Sequence, residues 1–423
     1  MIAMHHARNH AIHHAMHHTV RRVVVGALLC SAIVAGCARV APPVTAAQVA
    51  VLPWDSVLVR ARGSTVLWRM WRGDPAVNAF IDTWVAPRLL SQYGVTLQAV
   101  SGQGNELVDQ LSVEKESGAE TGAASLLWIN GETFAALRAR GLLAGPWSQA
   151  LPAGALVDSA SPIISRDFEQ DPAGYESPWG TVQLALIYDS ERTPAPPRTL
   201  AELAAWARAH PGRFTYDQSF AGITFLKGAM YALNGGVDTY RGGFDSTAYV
   251  AGRTRLFAWL DSLKPNLWRK GTQYPTDVAA LHRLFANGEI DFTMSNNQNE
   301  AVTKARQGIL PRTSRALVLR DGTIANAHFV GIPFNAPNAA GAMVVANFLL
   351  SPEAQLEKQR STVWADGTVL GLARLPTEWR ARFDTVVNDS RLVPADTLKR
   401  YARPEVSPQY HERLQDDWRR MIR

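Results

Sequence analysis

Four short stretches set tryptophan or tyrosine beside small polar residues and carboxylates: Trp71-Arg72-Gly73-Asp74-Pro75, Trp128-Ile129-Asn130-Gly131-Glu132, the run from Tyr216 to Thr224, and the run from Met294 to Glu300. Each has the mixed small, polar and aromatic composition of a small-molecule pocket. Two of them bring an indole close in sequence to a carboxylate, Trp71 with Asp74 and Trp128 with Glu132. Such pairs suit an organic cation, through attraction to the ring worth about 0.5 to 2 kcal/mol together with charge pairing. Loops of Gly, Ser and Thr at helix starts, such as Gly222 and Thr224, serve anions equally well. Plainer readings stand beside these. Asp74 could be only a helix cap, Asn130-Gly131 only a turn, and Trp179 only a hydrophobic wedge.

Chemistry of turnover is less well represented. The sequence holds no G-x-S-x-G, H-E-x-x-H or G-x-x-x-x-G-K-[ST] motif, and His210, His282, His328 and His411 are scattered. A secreted hydrolase on an α/β scaffold is the rival reading, and it lacks a nucleophile with a located base. No enzyme activity, cofactor or metal is expected.

The elements that position these residues follow from apolar periodicity. Short apolar runs alternate with helical patterns from about Ser64, which argues for an α/β fold. A strand at 64–70 leads to Asp74-Pro75, a helix start with the carboxylate as cap and proline in the first turn. Val77, Phe80, Ile81, Trp84 and Val85 then share one helix face. Strands are predicted at 94–100, 124–129, 181–190, 212–216, 290–297 and 327–337. Helices are predicted at 105–116, 200–210, 222–233 and 277–288, and two more within 338–359 divided at Ser351-Pro352, with Thr199 and Glu202 forming a capping box before the second. In an open α/β sheet, ligands gather beyond the carboxyl ends of the strands, where the four stretches lie. Two long strands, around Val182 to Tyr188 and His328 to Ile332, bracket a middle segment of about one domain's size.

The amino terminus reads as an export signal. Arg21-Arg22 precede an apolar run too short for a stable membrane span, ending at Cys37. Seven of the eleven histidines lie ahead of it, and initiation at Met16 would give a signal of ordinary length. Cleavage of 1–36 removes three arginines and no acid, so 43 basic residues become 40 against 37 acidic ones. That balance, with charges interspersed, argues against nucleic acid. With Cys30 removed and Cys37 acylated, no cysteine remains for a disulfide, a nucleophile or a metal. Residues 37–60, rich in Pro, Ala and Val, read as a tether.

Val34-Ala35-Gly36-Cys37 resembles the lipobox of bacterial lipoproteins. "LLWINGETFAALRARGLLAGPW", "SPWGTVQLALIYDS", "PRTLAELAAWARAHPGRFTY", "LHRLFANGEIDFTMSNNQNEA" and "NAAGAMVVANFLLSPEAQ" resemble, in order, a subgroup of solute-binding proteins of bacterial ABC importers. The subgroup is related to the type II binding proteins for thiamine, polyamines and ferric iron. The resemblance implies two α/β lobes joined by two crossover strands, closing over a solute in the cleft and delivering it to a permease and ATPase. It implies lobe 1 at 61–180, lobe 2 at 181–330, and a return to lobe 1 with C-terminal helices at 331–423, in an exported, lipid-anchored monomer. By the same resemblance Trp71, Gly73, Asp74, Asn130, Gly131 and Glu132 would line lobe 1's wall. Trp179 would sit at the crossover, and Tyr216, Thr224, Ser295, Asn296 and Asn297 would face them from lobe 2. The family's first loop more often carries two small residues after its tryptophan, where this sequence has Arg72. Its ferric binders use adjacent tyrosines, which this sequence lacks, so a thiamine-like or other organic cation ranks ahead of iron.

Overall fold

The computed structural model describes residues 44–386 and 390–421. The signal-like segment and Cys37 lie outside the described residues. Among the described residues nine strands form two sheets: β1 Thr65–Met70, β2 Thr96–Ser101, β3 Leu126–Ile129, β4 Glu176–Gln183, β5 Ala185–Asp189, β6 Phe292–Ser295, β7 Ser314–Leu317, β8 Thr323–Gly331 and β9 Ala402–Arg403. The first sheet runs β2-β1-β3-β8-β4, with β9 added to the start of β8; the second runs β6-β5-β7. Strands β1, β2 and β3 are parallel, whereas β8 is antiparallel to β3 and β4. The second sheet is antiparallel throughout.

The two sheets are two lobes of a type II periplasmic-binding-protein fold, joined by long strands. β4 leaves the first sheet at Gln183, and after Leu184 the chain enters the second as β5. β8 returns, pairing with β4 from Gln183↔Ala325 to Glu176↔Gly331. Both strands begin earlier than the apolar runs suggest. Pro178, which has no N–H for the ladder, is absorbed at a register shift before Gly180. On β8, Asn326 and His328 interrupt the apolar pattern, yet the whole strand is buried.

Local rules account for the elements flanking the cleft. Asp74 caps the helical run 75–93, accepting from the Ala76 N–H at 2.7 Å, with Pro75 in the first turn. Val77, Phe80, Ile81 and Val85 are buried, and Phe80–Val85 forms a wider π-type turn ahead of Pro87. Thr199 caps its helix from the Glu202 N–H, but the Glu202 carboxylate returns to the Arg198 N–H. Trp68 is buried as its strand alternation demands, and half-buried Trp84 stacks on Phe80.

Three expectations are corrected. The stretch at 212–216 forms no strand; Phe214 makes one bridge to Leu267. Residues 37–60, read as a tether, are in their described part largely helical. Ala46–Ala50 is opened by a Thr45–Gln48 capping box and followed by Trp54–Ala61, with Ala46, Val49 and Val57 buried in lobe 1. Small apolar residues at helical spacing pack as readily as they solvate. Finally, the chain after 331 does not all return to lobe 1. Ala339–Leu349 and Pro352–Gln359 do, whereas Pro408–Met421 buries Tyr410, Leu414 and Trp418, one helical turn apart, in the lobe 2 core.

Candidate functional site

On lobe 1's side of the cleft the chain leaves β1 at Trp71, which stays 40% exposed despite its size. Its indole folds across Gly73, where an added Cβ would stand 2.6 Å from ring atoms, so a side chain at 73 would displace the ring. Arg72 turns away and binds Asp82 through two hydrogen bonds of 2.9 and 2.5 Å. Trp71 meets Trp128, at the end of β3, edge to face at 6.4 Å. Trp128 in turn packs on Trp179 at 4.8 Å and on His328 at 4.9 Å. Trp179 is fully buried in this aromatic block, 5.3 Å from both Trp68 and Trp364, so it backs the wall rather than forming its surface.

Lobe 2 supplies the opposing loop after β6. Ser295 Oγ accepts from the Asn297 N–H at 3.0 Å, and Asn297 Oδ1 accepts from the Asn299 N–H at 2.9 Å. Their amide nitrogens reach across to the other lobe, Asn297 to the Trp364 carbonyl at 3.4 Å and Asn299 to the Ala365 carbonyl at 3.0 Å. Asn296 is half-buried at the same turn. One helical turn further, Lys304 Nζ donates to Asp74 Oδ2 at 2.8 Å, and both residues are buried. Lys304 also lies 3.6 Å from Glu300 Oε1. Burial works against ionisation of Glu300, but His282, Lys304 and Ser295 outweigh it and hold the carboxyl down at about 2. The His282 Nε2 to Glu300 distance of 3.6 Å is a charge contact, longer than a hydrogen bond.

The Asn130-Gly131-Glu132 turn belongs to a second cluster. Gly131 takes φ +48° and donates its N–H to Asp167 Oδ2 at 2.6 Å. The Phe168 ring lies where a Cβ at 131 would be, 2.7 Å away, so the turn requires glycine. The loop 166–171 therefore covers this strand end. Glu132 faces Lys227, Glu405 and Glu412, and burial pushes its carboxyl up. Burial likewise pushes Asp167 and Glu176 well above the carboxylate range, and neither Glu176 oxygen has a hydrogen bond. Lys227 and Glu405 form a fully buried ion pair, with Asn326 donating to the second Glu405 oxygen at 3.2 Å.

The structure thus brings together Trp71, Gly73, Asp74, Ser295, Asn296 and Asn297, with Trp179 behind them. Gly131 and Glu132 meet the second cluster instead, with Asn130 just ahead of them at the helix start. Tyr216 is buried under the C-terminal helix, its hydroxyl accepting from Trp418 Nε1 at 3.1 Å. Thr224, also buried, donates to the Phe220 carbonyl at 2.7 Å. Neither of these two hydroxyls meets the opposing walls. Sequence reasoning passed over Lys304 and Trp364, and took in Asn299 and Glu300 only within the run from Met294 to Glu300. The Glu300 to Lys304 spacing of one helical turn was a readable signal, but its lobe 1 partner lies 230 positions away. Among the described residues, no group of three or more His, Cys, Asp or Glu could hold a metal ion.

Comparison with known proteins agrees with the two-lobed fold. The solved TpPotD lipoprotein of Treponema pallidum superposes with a TM-score of 0.61 at 15% identity, over 85% of this chain and 99% of its own. Iron-bound HitA from Pseudomonas aeruginosa gives 0.57 at 18% identity, over 84% and 99%. Protein YnjB of Escherichia coli (strain K12) is 36% identical over 327 residues, 76% of this chain and 84% of YnjB. Residues 85–370 match the family described as bacterial extracellular solute-binding protein, and with two lobes meeting across a polar and aromatic cleft, the chain belongs to that family.

Proposed function

We propose that this protein captures a small organic cation, thiamine-like or another cationic heterocycle, between its lobes and delivers it to the permease and ATPase of an ABC importer. One observation supports the choice of ligand. Where Trp71 stands exposed beside Trp128, Asp74 from lobe 1 holds an ammonium group, that of Lys304 from lobe 2. A carboxylate arranged against a nitrogen cation, with an exposed indole on the same loop, is complementary to organic cations. Trp71, Gly73, Asp74, Ser295, Asn296 and Asn297 would touch the solute. Asn130, Gly131, Glu132, Trp179, Tyr216 and Thr224 would shape the lobes that hold it. Solute contacting both lobes favours their closure through its differential affinity for the closed form.

The reading is capture without chemistry, by an exported monomer anchored through lipid on Cys37. No helix among the described residues is long and apolar enough to cross a membrane. Thermal unfolding with thiamine, choline and putrescine, against phosphate, citrate and glucose, tests the ligand class. A bound solute at a hundred times its Kd stabilises by about 2.7 kcal/mol. Stabilisation is expected from one of the cations and is expected to disappear in Asp74→Asn, which keeps the capping oxygen and removes the charge. Stabilisation by the anions or the sugar alone would overturn the reading.

A further inference from the structure

We infer that Lys304 is an exchangeable resident cation of the cleft: it occupies Asp74, gives it up to the positive charge of the solute, and retires to Glu300, which makes Lys304 the residue that sets selectivity. The inference rests on the reading of the cleft as a cation site and adds a mechanism to it.

Three features carry it. First, only one oxygen of Asp74 is available across the cleft, because Oδ1 is committed to the Ala76 N–H while Oδ2 takes Lys304 at 2.8 Å. A solute cation that reaches Asp74 therefore meets Lys304 already on the open oxygen. Secondly, Lys304 has another carboxylate in reach, Glu300 Oε1 at 3.6 Å on its own helix, and that carboxyl is held ionised. A lysine with four rotatable side-chain bonds can pass from one to the other without leaving a buried charge unpaired, the situation that is costly in protein interiors. Thirdly, Asp74 and Glu300 share the one ammonium of Lys304, and His282 stands 3.6 Å from Glu300, so an added cation finds a carboxylate to match it whereas a negative solute meets two like charges. An anionic solute would have to draw Lys304 away from both partners. The pair also bridges the lobes, so the same exchange releases one interlobe tie as the solute supplies another.

Substituting Lys304→Met removes the competitor while retaining a side chain of similar length. Isothermal titration with thiamine, choline and putrescine is expected to show at least a tenfold tightening of the cation that the parent chain binds, with the largest gain for the dication putrescine. Lys304→Gln, a polar replacement, should behave in the same direction and covers the case of a poorly folded methionine variant. Small-angle scattering without added solute reads the tie directly. The parent is expected to become more extended between low and high salt, whereas Asp74→Asn and Lys304→Met should be equally extended at both.

Unchanged or weaker cation binding in both Lys304 variants, where the parent does bind a cation, overturns the exchange. Scattering that is identical for parent and variants, and insensitive to salt, overturns the interlobe tie whatever the ligand. If none of the three cations binds any variant while scattering differs as expected, the cation reading of the site fails and the tie stands, so the two failures are distinguishable.

Discussion

The buried ion pair between Lys227 and Glu405 offers the sharpest test of how the two lobes and the C-terminal segment are joined. Lys227 lies on the Phe220–Leu233 helix of lobe 2, and Glu405 just ahead of the C-terminal helix; their side chains are 1% and 2% exposed. The ammonium sits 4.8 Å from the Phe168 ring centroid and 5.7 Å from that of Phe220, so it is held by two aromatic faces as well as by the carboxylate. Removing one partner of such a pair leaves an uncompensated buried charge and costs about 3 to 5 kcal/mol. Replacing both by apolar groups of similar volume is often close to neutral. Lys227→Met and Glu405→Leu should therefore each destabilise the chain by about 3 to 5 kcal/mol in urea unfolding, and the double variant should recover most of that loss. Because Trp418 seats the C-terminal helix on Tyr216 independently, trypsin should cut near Arg403 faster in each single variant than in the double. Strictly additive losses in the double variant would show that the two groups do not act as a pair, and the account of this junction would fall.

Other outcomes follow from the same geometry. Trp71→Ala should weaken solute binding with little change in unfolding free energy, whereas Trp179→Ala, deep in the aromatic block, should cost about 3 to 5 kcal/mol; the reverse pattern would misplace the wall. Gly131→Ala must place a Cβ against Phe168 at a positive φ, and a loss of about 1 to 3 kcal/mol is expected by chemical denaturation. Glu176→Gln probes the raised carboxyl. A group whose folded pKa lies above its unfolded value contributes stability below the unfolded pKa and loses it as pH rises through the folded one. The variant lacks that dependence, so it should gain stability relative to the parent as pH rises from about 4 to 8. A constant difference over that window would refute burial as the cause.

Much of the frame was legible because it follows local rules. Asp74-Pro75 reads as a capped helix start, and the structure has one; Val77, Phe80, Ile81 and Val85 read as one buried face, and they are. The alternation of strand and helix, with polar residues at strand ends, marked an α/β fold, and the family resemblance implied two lobes about a cleft. What was not legible is which neighbour each polar residue meets. Glu132 follows Trp128 by four positions, and proximity in sequence suggested one site. Gly131 turns the chain instead, and the loop carrying Asp167 and Phe168 folds over it, a contact that nothing in the local pattern marks. Tyr216 was drawn to the cleft by its place after an apolar run, whereas its partner Trp418 comes from the far end of the chain. The pairing of Asp74 with Lys304 is equally remote.

Protonation separates the two clusters of acids by function. Around Glu132, burial pushes Asp167, Glu176 and Glu132 itself upward, and the charges there are settled between Lys227 and Glu405. Burial of these carboxyls under the loop 166–171 and around the Lys227–Glu405 pair fits a structural role beneath the C-terminal helix. Around Asp74 the balance is opposite. Glu300 stays ionised near 2 against its own burial, because His282, Lys304 and Ser295 surround it, and Lys304 is shared between carboxylates from both lobes. Two acids from opposite lobes that share the Lys304 ammonium, with exposed Trp71 on the adjoining loop, suit an added positive charge better than the Glu132 cluster does. Of the two strand ends that began as equals in the sequence, the one after β1 is therefore the better wall for a cation, and the one after β3 the better foundation for the lobe.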